Sequence, residues 1–96
     1  MAVRFVWDKD KNQRNLAKHG ISFETAILVF SDPLLIAFPE RNVDGEERWH
    51  SIGSAGGIVI VTVAHTIALS DADEVIRIIS ARKATPSERK RYEEAD

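Results

Sequence analysis

The residues best suited to chemistry lie toward the C-terminus. From Arg77 to Arg91 six bases (Arg77, Arg82, Lys83, Arg89, Lys90 and Arg91) face one acid, Glu88, in a 96-residue chain of net charge -2. Such a run calls for a polyanion or for internal pairing. A guanidinium fork grips phosphate through two bonds and does not shuttle protons. His65 closes the most apolar stretch of the chain, where its imidazole could transfer a proton near neutral pH. The competing reading is a rim histidine that only hydrogen-bonds. Glu47 and Arg48 alternate, so at most one of them points into a sheet-borne site. Trp49, on the Glu47 side, could stack on a base or simply pack. Lys18 and His19 suit either the basic region or the negative end of their own helix. Tyr92 shares a helical face with Glu88 and Arg89.

These side chains need elements to hold them. Val75–Ala81 is rich in β-branched residues and reads as a strand. Thr85, Pro86 and Glu88 form a capping box that starts a last helix. Arg77 and Arg82 are five positions apart, so strict alternation puts them on opposite faces unless the strand bulges between them. Upstream, Val3–Trp7 reads as a short strand. Asp8 or Asp10 caps a helix that runs to His19 and stops at Gly20. Ser22 opens a second helix with Phe23, Ala26, Ile27 and Phe30 as its buried stripe, ended by Asp32-Pro33. Leu34–Phe38 is an edge strand, Asp44-Gly45 a reversal, and Glu46–Ile52 the returning strand. Gly53–Gly57 makes a turn, Ile58–His65 the central strand and Thr66–Glu74 a connection. The expected fold is α+β, one domain over 1–96: two N-terminal helices, a four-stranded antiparallel sheet and a C-terminal helix.

Composition narrows the function classes. There is no cysteine, hence no disulfide or zinc-thiolate chemistry. The histidines at 19, 50 and 65 offer no close ligand pair, so no metal site or cofactor is expected. No glycine-rich phosphate loop or dinucleotide fingerprint occurs. No apolar run spans a membrane, and no secretory leader is visible, which points to the cytoplasm. Charge is segregated: residues 1–20 hold five bases and two acids, residues 21–76 two bases and nine acids. A positive surface with a proton-transfer histidine can bind RNA. It can cut it without metal when the 2'-hydroxyl attacks the adjacent phosphate.

FVWDKDKNQRNLAKHGISFETAILVFSDP, DGEERW, VTVAHT and IRIISARKATPSERKRYEE, in that order, resemble the BrnT family of bacterial toxins. The resemblance implies a RelE-like fold and metal-independent endoribonuclease action that suppresses translation. It also implies a BrnA-like ribbon-helix-helix antitoxin, a heterotetramer with it, and promoter DNA bound only through that partner. Carried onto this chain, the functional positions are Lys18 or His19, Glu47 and Arg48, His65, Arg77, and Arg82 with Lys83. In that division His65 handles a proton and the arginines hold phosphate. One departure stands out: Thr66 is followed by an apolar, then acidic, connection through Glu74. It implies weaker RNA affinity, an antitoxin contact or a weakened nuclease. The alternative from another class is a non-catalytic module that binds RNA or protein through the C-terminal basic patch; a third is a structural subunit neutralising an acidic partner.

Overall fold

The computed structural model describes residues 2–95. Helix α1 (Lys9–His19) starts where the Asp8 carboxylate accepts the Lys11 N–H, and ends at Gly20 with φ 73°, a conformation glycine adopts without strain. Ser22 caps α2 (Phe23–Ala26), which tightens at once into a 3-10 turn over Ile27–Ser31. Three residues per turn bring Phe23, Ala26 and Val29 to one side, and all three are fully buried. The expected stripe, drawn at 3.6 residues per turn, missed Val29 and included Ile27 and Phe30, which are only partly buried.

The sheet corrects the sequence-based expectation. It has five strands, not four, and it is mixed rather than antiparallel, in the order β1-β5-β4-β3-β2. Strands β2 (Ile36–Val43), β3 (Glu46–Ala55), β4 (Val59–Ser70) and β5 (Asp73–Lys83) form the antiparallel meander. The short β1 (Val3–Val6) adds in parallel to the outer edge of β5, from Val3 opposite Glu74 to Val6 opposite Arg77. It satisfies backbone groups that β5 would otherwise present unpaired. Phe5 from β1 also meets Phe30, ring centroids 5.2 Å apart.

Two boundaries move for physical reasons. The supposed 66–74 connection is mostly ladder: Thr66 to Ser70 pair with Arg77 to Asp73, leaving a two-residue turn at Asp71 (φ 50°) and Ala72 (φ 70°). Gly53 belongs to β3 rather than to a turn. A Cβ there would lie 3.0 Å from Val29 Cβ and 3.1 Å from its carbonyl oxygen, so any side chain would press on the 3-10 turn, and glycine lets β3 pass close to it without that strain.

The helices α1 and α2 and the 3-10 turn cover one face of the sheet. Their core joins Phe23, Ala26 and Val29 to Val61, Val63, Ile76, Ile78 and Ala81. Helix α3 (Pro86–Glu94) lies on the other face, fastened by the capping box between Thr85 and Glu88 and by a bond from Thr62 Oγ1 to Glu88. Ile52, fully buried, points to that second face.

Candidate active site

Strand register decides which side chains meet. Residues directly opposite on neighbouring strands share a face. Ala64 pairs with Ser80 but His65 pairs with Ile78, so Ile79 is an extra residue in β5. This bulge reverses the alternation. Arg77 before it and Arg82 after it, five apart in sequence, emerge on the same face.

Three rows result on the α3 side. Thr66 stands opposite Arg77, and Arg48, next to Trp49 (the partner of His65), falls level with them. In the middle row Phe38, His50, Ala64 and Ser80 run across four strands. The third row holds Ile36, Ile52, Thr62 and Arg82. His50 is thus half-buried between two arginine rows, with Phe38 on its β2 side and the small side chains of Ala64 and Ser80 on its β4 side. From α3, the Arg91 guanidinium sits over the Phe38 ring, 4.1 Å from its centroid, and Phe38 meets His50 edge-on at 5.9 Å. That contact is a cation–π interaction that brings a fourth arginine to the rim.

The arginines are held by carboxylates of the same chain. Arg77 Nη2 donates to Glu46 Oε1, and Arg48 Nε lies 3.7 Å from the same oxygen. One carboxylate oxygen therefore occupies the space between two guanidinium groups. Arg48 Nε is buried and makes no hydrogen bond. Arg82 forms a two-pronged pair with Glu88, at 2.6 and 2.9 Å. That pair, helped by Thr85 and Thr62, holds the Glu88 carboxyl down at about 2, and Glu88 in turn raises Arg82.

His65 is not among these groups. It lies on the helix-covered face, 1% exposed, against Phe30 at 5.1 Å. Ser51 Oγ is 2.7 Å from Nε2, and Nδ1 is 3.3 Å from the Thr66 carbonyl. With Nδ1–H donating to that carbonyl, Nε2 accepts from Ser51 and both nitrogens are satisfied. Burial lowers its pKa and so favours the neutral ring. The pocket expected to join His65 to Arg77 and Arg82 is not formed, because Thr66 rather than His65 shares their face. Glu47, Trp49 and Lys83 likewise alternate to the His65 side. Lys18 and His19 lie beside Ile79 and Ser80 at the β5 edge. Arg89 is exposed. The Tyr92 hydroxyl donates to Asp32, which pushes the phenol up to about 12 and makes it a strut for α3.

His50 is not among the expected site residues, and Arg91 is expected only as part of the basic run. Alternation already placed His50 on the face of Arg48, but only the bulge shows that Arg77 and Arg82 join them. Among the described residues no group of three or more His, Cys, Asp or Glu side chains is placed to hold a metal ion. No described helix is long and apolar enough to cross a membrane.

Residues 7–88 match the profile of the ribonuclease toxin, BrnT, of type II toxin-antitoxin systems. The chain belongs to the BrnT family. The crystal structure of the Brucella abortus ribonuclease toxin, BrnT, is similar to it at 28% identity and a TM-score of 0.64, covering 88% of this chain and 99% of that one. No curated protein sequence matches the chain. As a BrnT-family member with a RelE-like fold, the chain is an RNA-cleaving toxin, and its partner in such a module is an antitoxin. The sheet of this BrnT-family chain is five-stranded and carries the half-buried Arg48, Arg77 and Arg82 on the face opposite α1 and α2.

Proposed function

We propose that RNA is cut on the α3 side of the sheet, over Ala64 and Ser80, with His50 as the proton carrier. The observation that carries this reading is the register: His50 stands between the Arg48–Arg77 row and the Arg82 row, above a floor of small side chains. An imidazole there takes the proton from the 2'-hydroxyl, whose oxygen attacks the adjacent phosphorus. The bond to the 5' oxygen breaks, and that oxygen takes a proton from solvent at the open face. The products are a 2',3'-cyclic phosphate and a 5'-hydroxyl end. Arg48, Arg77 and Arg82 bind the non-bridging oxygens and stabilise the charge that gathers on them. Arg48 Nε, buried without a hydrogen bond although 3.7 Å from Glu46 Oε1, is a donor ready for such an oxygen once that carboxylate is displaced. The reaction so written uses protein groups alone and proceeds in chelator.

The test is cleavage of RNA by the purified protein in chelator, with Arg77→Ala and His50→Gln compared against the parent. Both variants lose cleavage while keeping their fold. Full activity in both would refute the placement. The antitoxin of this reading is a BrnA-like ribbon-helix-helix protein, assembled with the toxin as a heterotetramer that covers the arginine face. DNA binding falls to that partner, because a chain of net charge -2 gains little from counterion release. A complex that cuts RNA as fast as the free toxin would refute this masking.

A further inference from the structure

A second cationic surface lies at the edge of the sheet. Strand β1 ends at Val6, opposite Arg77, so it leaves the rest of the β5 edge uncovered. Helix α1 takes over there. Its buried Asn15 mimics a strand: Nδ2 donates to the Ala81 carbonyl at 2.8 Å, and Oδ1 accepts the Ala81 N–H at 3.1 Å. A further bond from Nδ2 to the Ile21 carbonyl locks the helix in rotation. Lys11, Lys18 and His19 stand four before, three after and four after Asn15, so the same rotation turns them to the seam.

Between helix and strand lies a groove of about 350 Å³, lined by Lys11, Arg14, Lys18, His19, Ile79 and Ser80. Its floor is the bulge, where β5 carries one residue too many and the ladder is interrupted. Among the described residues, the ion pairs are Arg4–Asp73, Arg41–Glu40, Arg48–Glu46, Arg77–Glu46 and Arg82–Glu88. None involves the four basic side chains of the groove. The arginines of the sheet face are paired, and the basic side chains of the groove are not. The Asp8 carboxylate, the acid that feels Lys11 and Arg14, is used by the α1 cap.

We infer that this groove is a second subsite for the same RNA, holding the phosphodiester backbone next to the nucleotide that is cut. The inference rests on the proposed cleavage face. Ser80 belongs to both places. It ends the row His50–Ala64–Ser80 on the sheet and borders the groove at the edge. Two strand spacings, about 10 Å, separate His50 from Ser80. RNA lying along that row leaves the sheet over Ser80, where β1 is absent, and runs into the unpaired cations. This continuity favours RNA over an acidic peptide as the occupant. The contacts are to phosphates, so the subsite adds affinity without reading sequence.

The experiment uses the whole toxin, a dinucleotide and a single-stranded RNA of roughly ten nucleotides. The parent, the double variant Lys11→Gln/Arg14→Gln and Arg77→Ala are compared. Both groove positions are exposed and glutamine is a good helix former, so the fold is retained, as circular dichroism verifies. For the double variant, KM for the long RNA rises roughly tenfold with kcat nearly constant, and the preference for long over short substrate falls. The slope of log affinity against log salt weakens by about 1.4, or roughly 0.7 per lost cation. An unchanged KM and salt slope would overturn the subsite. So would unchanged RNA kinetics together with lost antitoxin binding, which would assign the groove to protein. If Arg77→Ala still cleaves, the cleavage face itself fails. If it does not, but the double variant keeps its length preference, only the groove fails.

Discussion

Glu46 offers a sharp perturbation. Its Oε1 is bonded by Arg77 and sits 3.7 Å from Arg48 Nε, the space the proposed cleavage assigns to a phosphate oxygen. The side chains are 46% exposed for Glu46, 38% for Arg77 and 25% for Arg48. Pairs so open to water contribute at most about 1 kcal/mol each, so RNA gives up about 1–2 kcal/mol in displacing the carboxylate from both arginines. Glu46→Gln keeps the shape and removes the charge. RNA affinity should therefore rise about fivefold to thirtyfold, and stability should fall by no more than the same amount, about 1–2 kcal/mol. The assay is fluorescence anisotropy with RNA methylated at the 2' oxygens, which binds but is not cut. Between about 50 and 200 mM salt the gain shrinks, since exposed charges are screened. Weaker binding by Glu46→Gln would mean that Glu46 aligns the arginines rather than competing with phosphate, and equal binding that phosphate lands elsewhere. Either result refutes the reasoning.

Three further predictions concern the scaffold. Gly53→Ala pushes a methyl into Val29 and its carbonyl and costs about 1–3 kcal/mol, seen as a lower urea midpoint. Ala72→Gly relieves a left-handed conformation at φ 70° and raises Tm by roughly 4–8 °C for a gain of about 1 kcal/mol. The Glu88 carboxyl is held at about 2 against an ordinary 4.5, so its stabilisation is complete above pH 4.5 and drains away as pH falls toward 2. With Arg82 partly exposed, that contribution is about 1–2 kcal/mol. Acid unfolding of Glu88→Gln should lack this component.

Local signals were legible in the sequence. The first helix's aspartate cap (Asp8 or Asp10 by sequence, Asp8 in the structure), the Ser22 cap, the Gly20 stop, the Asp44-Gly45 reversal and the Thr85–Glu88 capping box each depend on residues within one turn of each other, and each is present. What escaped depends on distant pairing. Val3–Trp7 reads as a strand, but nothing nearby tells it to join β5, some seventy residues away, in parallel. The bulge at Ile79 has no glycine or proline to announce it, yet it decides that Arg82 shares a face with Arg77. Thr66–Glu74 reads as a connection rather than as paired strand because its turn, Asp71-Ala72, lacks the usual glycine. His65 drew attention by its position after an apolar run, and that same run is what carries it into the core.

In the proposed reaction His50, not His65, moves the proton. The deciding measurement is single-turnover RNA cleavage in chelator by His50→Gln and His65→Gln, each with its Tm. The expected result is a rate about 10²–10⁴-fold lower for His50→Gln at nearly unchanged Tm. For His65→Gln, disturbing the buried bonds to Ser51 and Thr66 lowers Tm while the rate of the folded protein stays within a few-fold. A folded His65→Gln that no longer cuts RNA, beside a fully active His50→Gln, would contradict it.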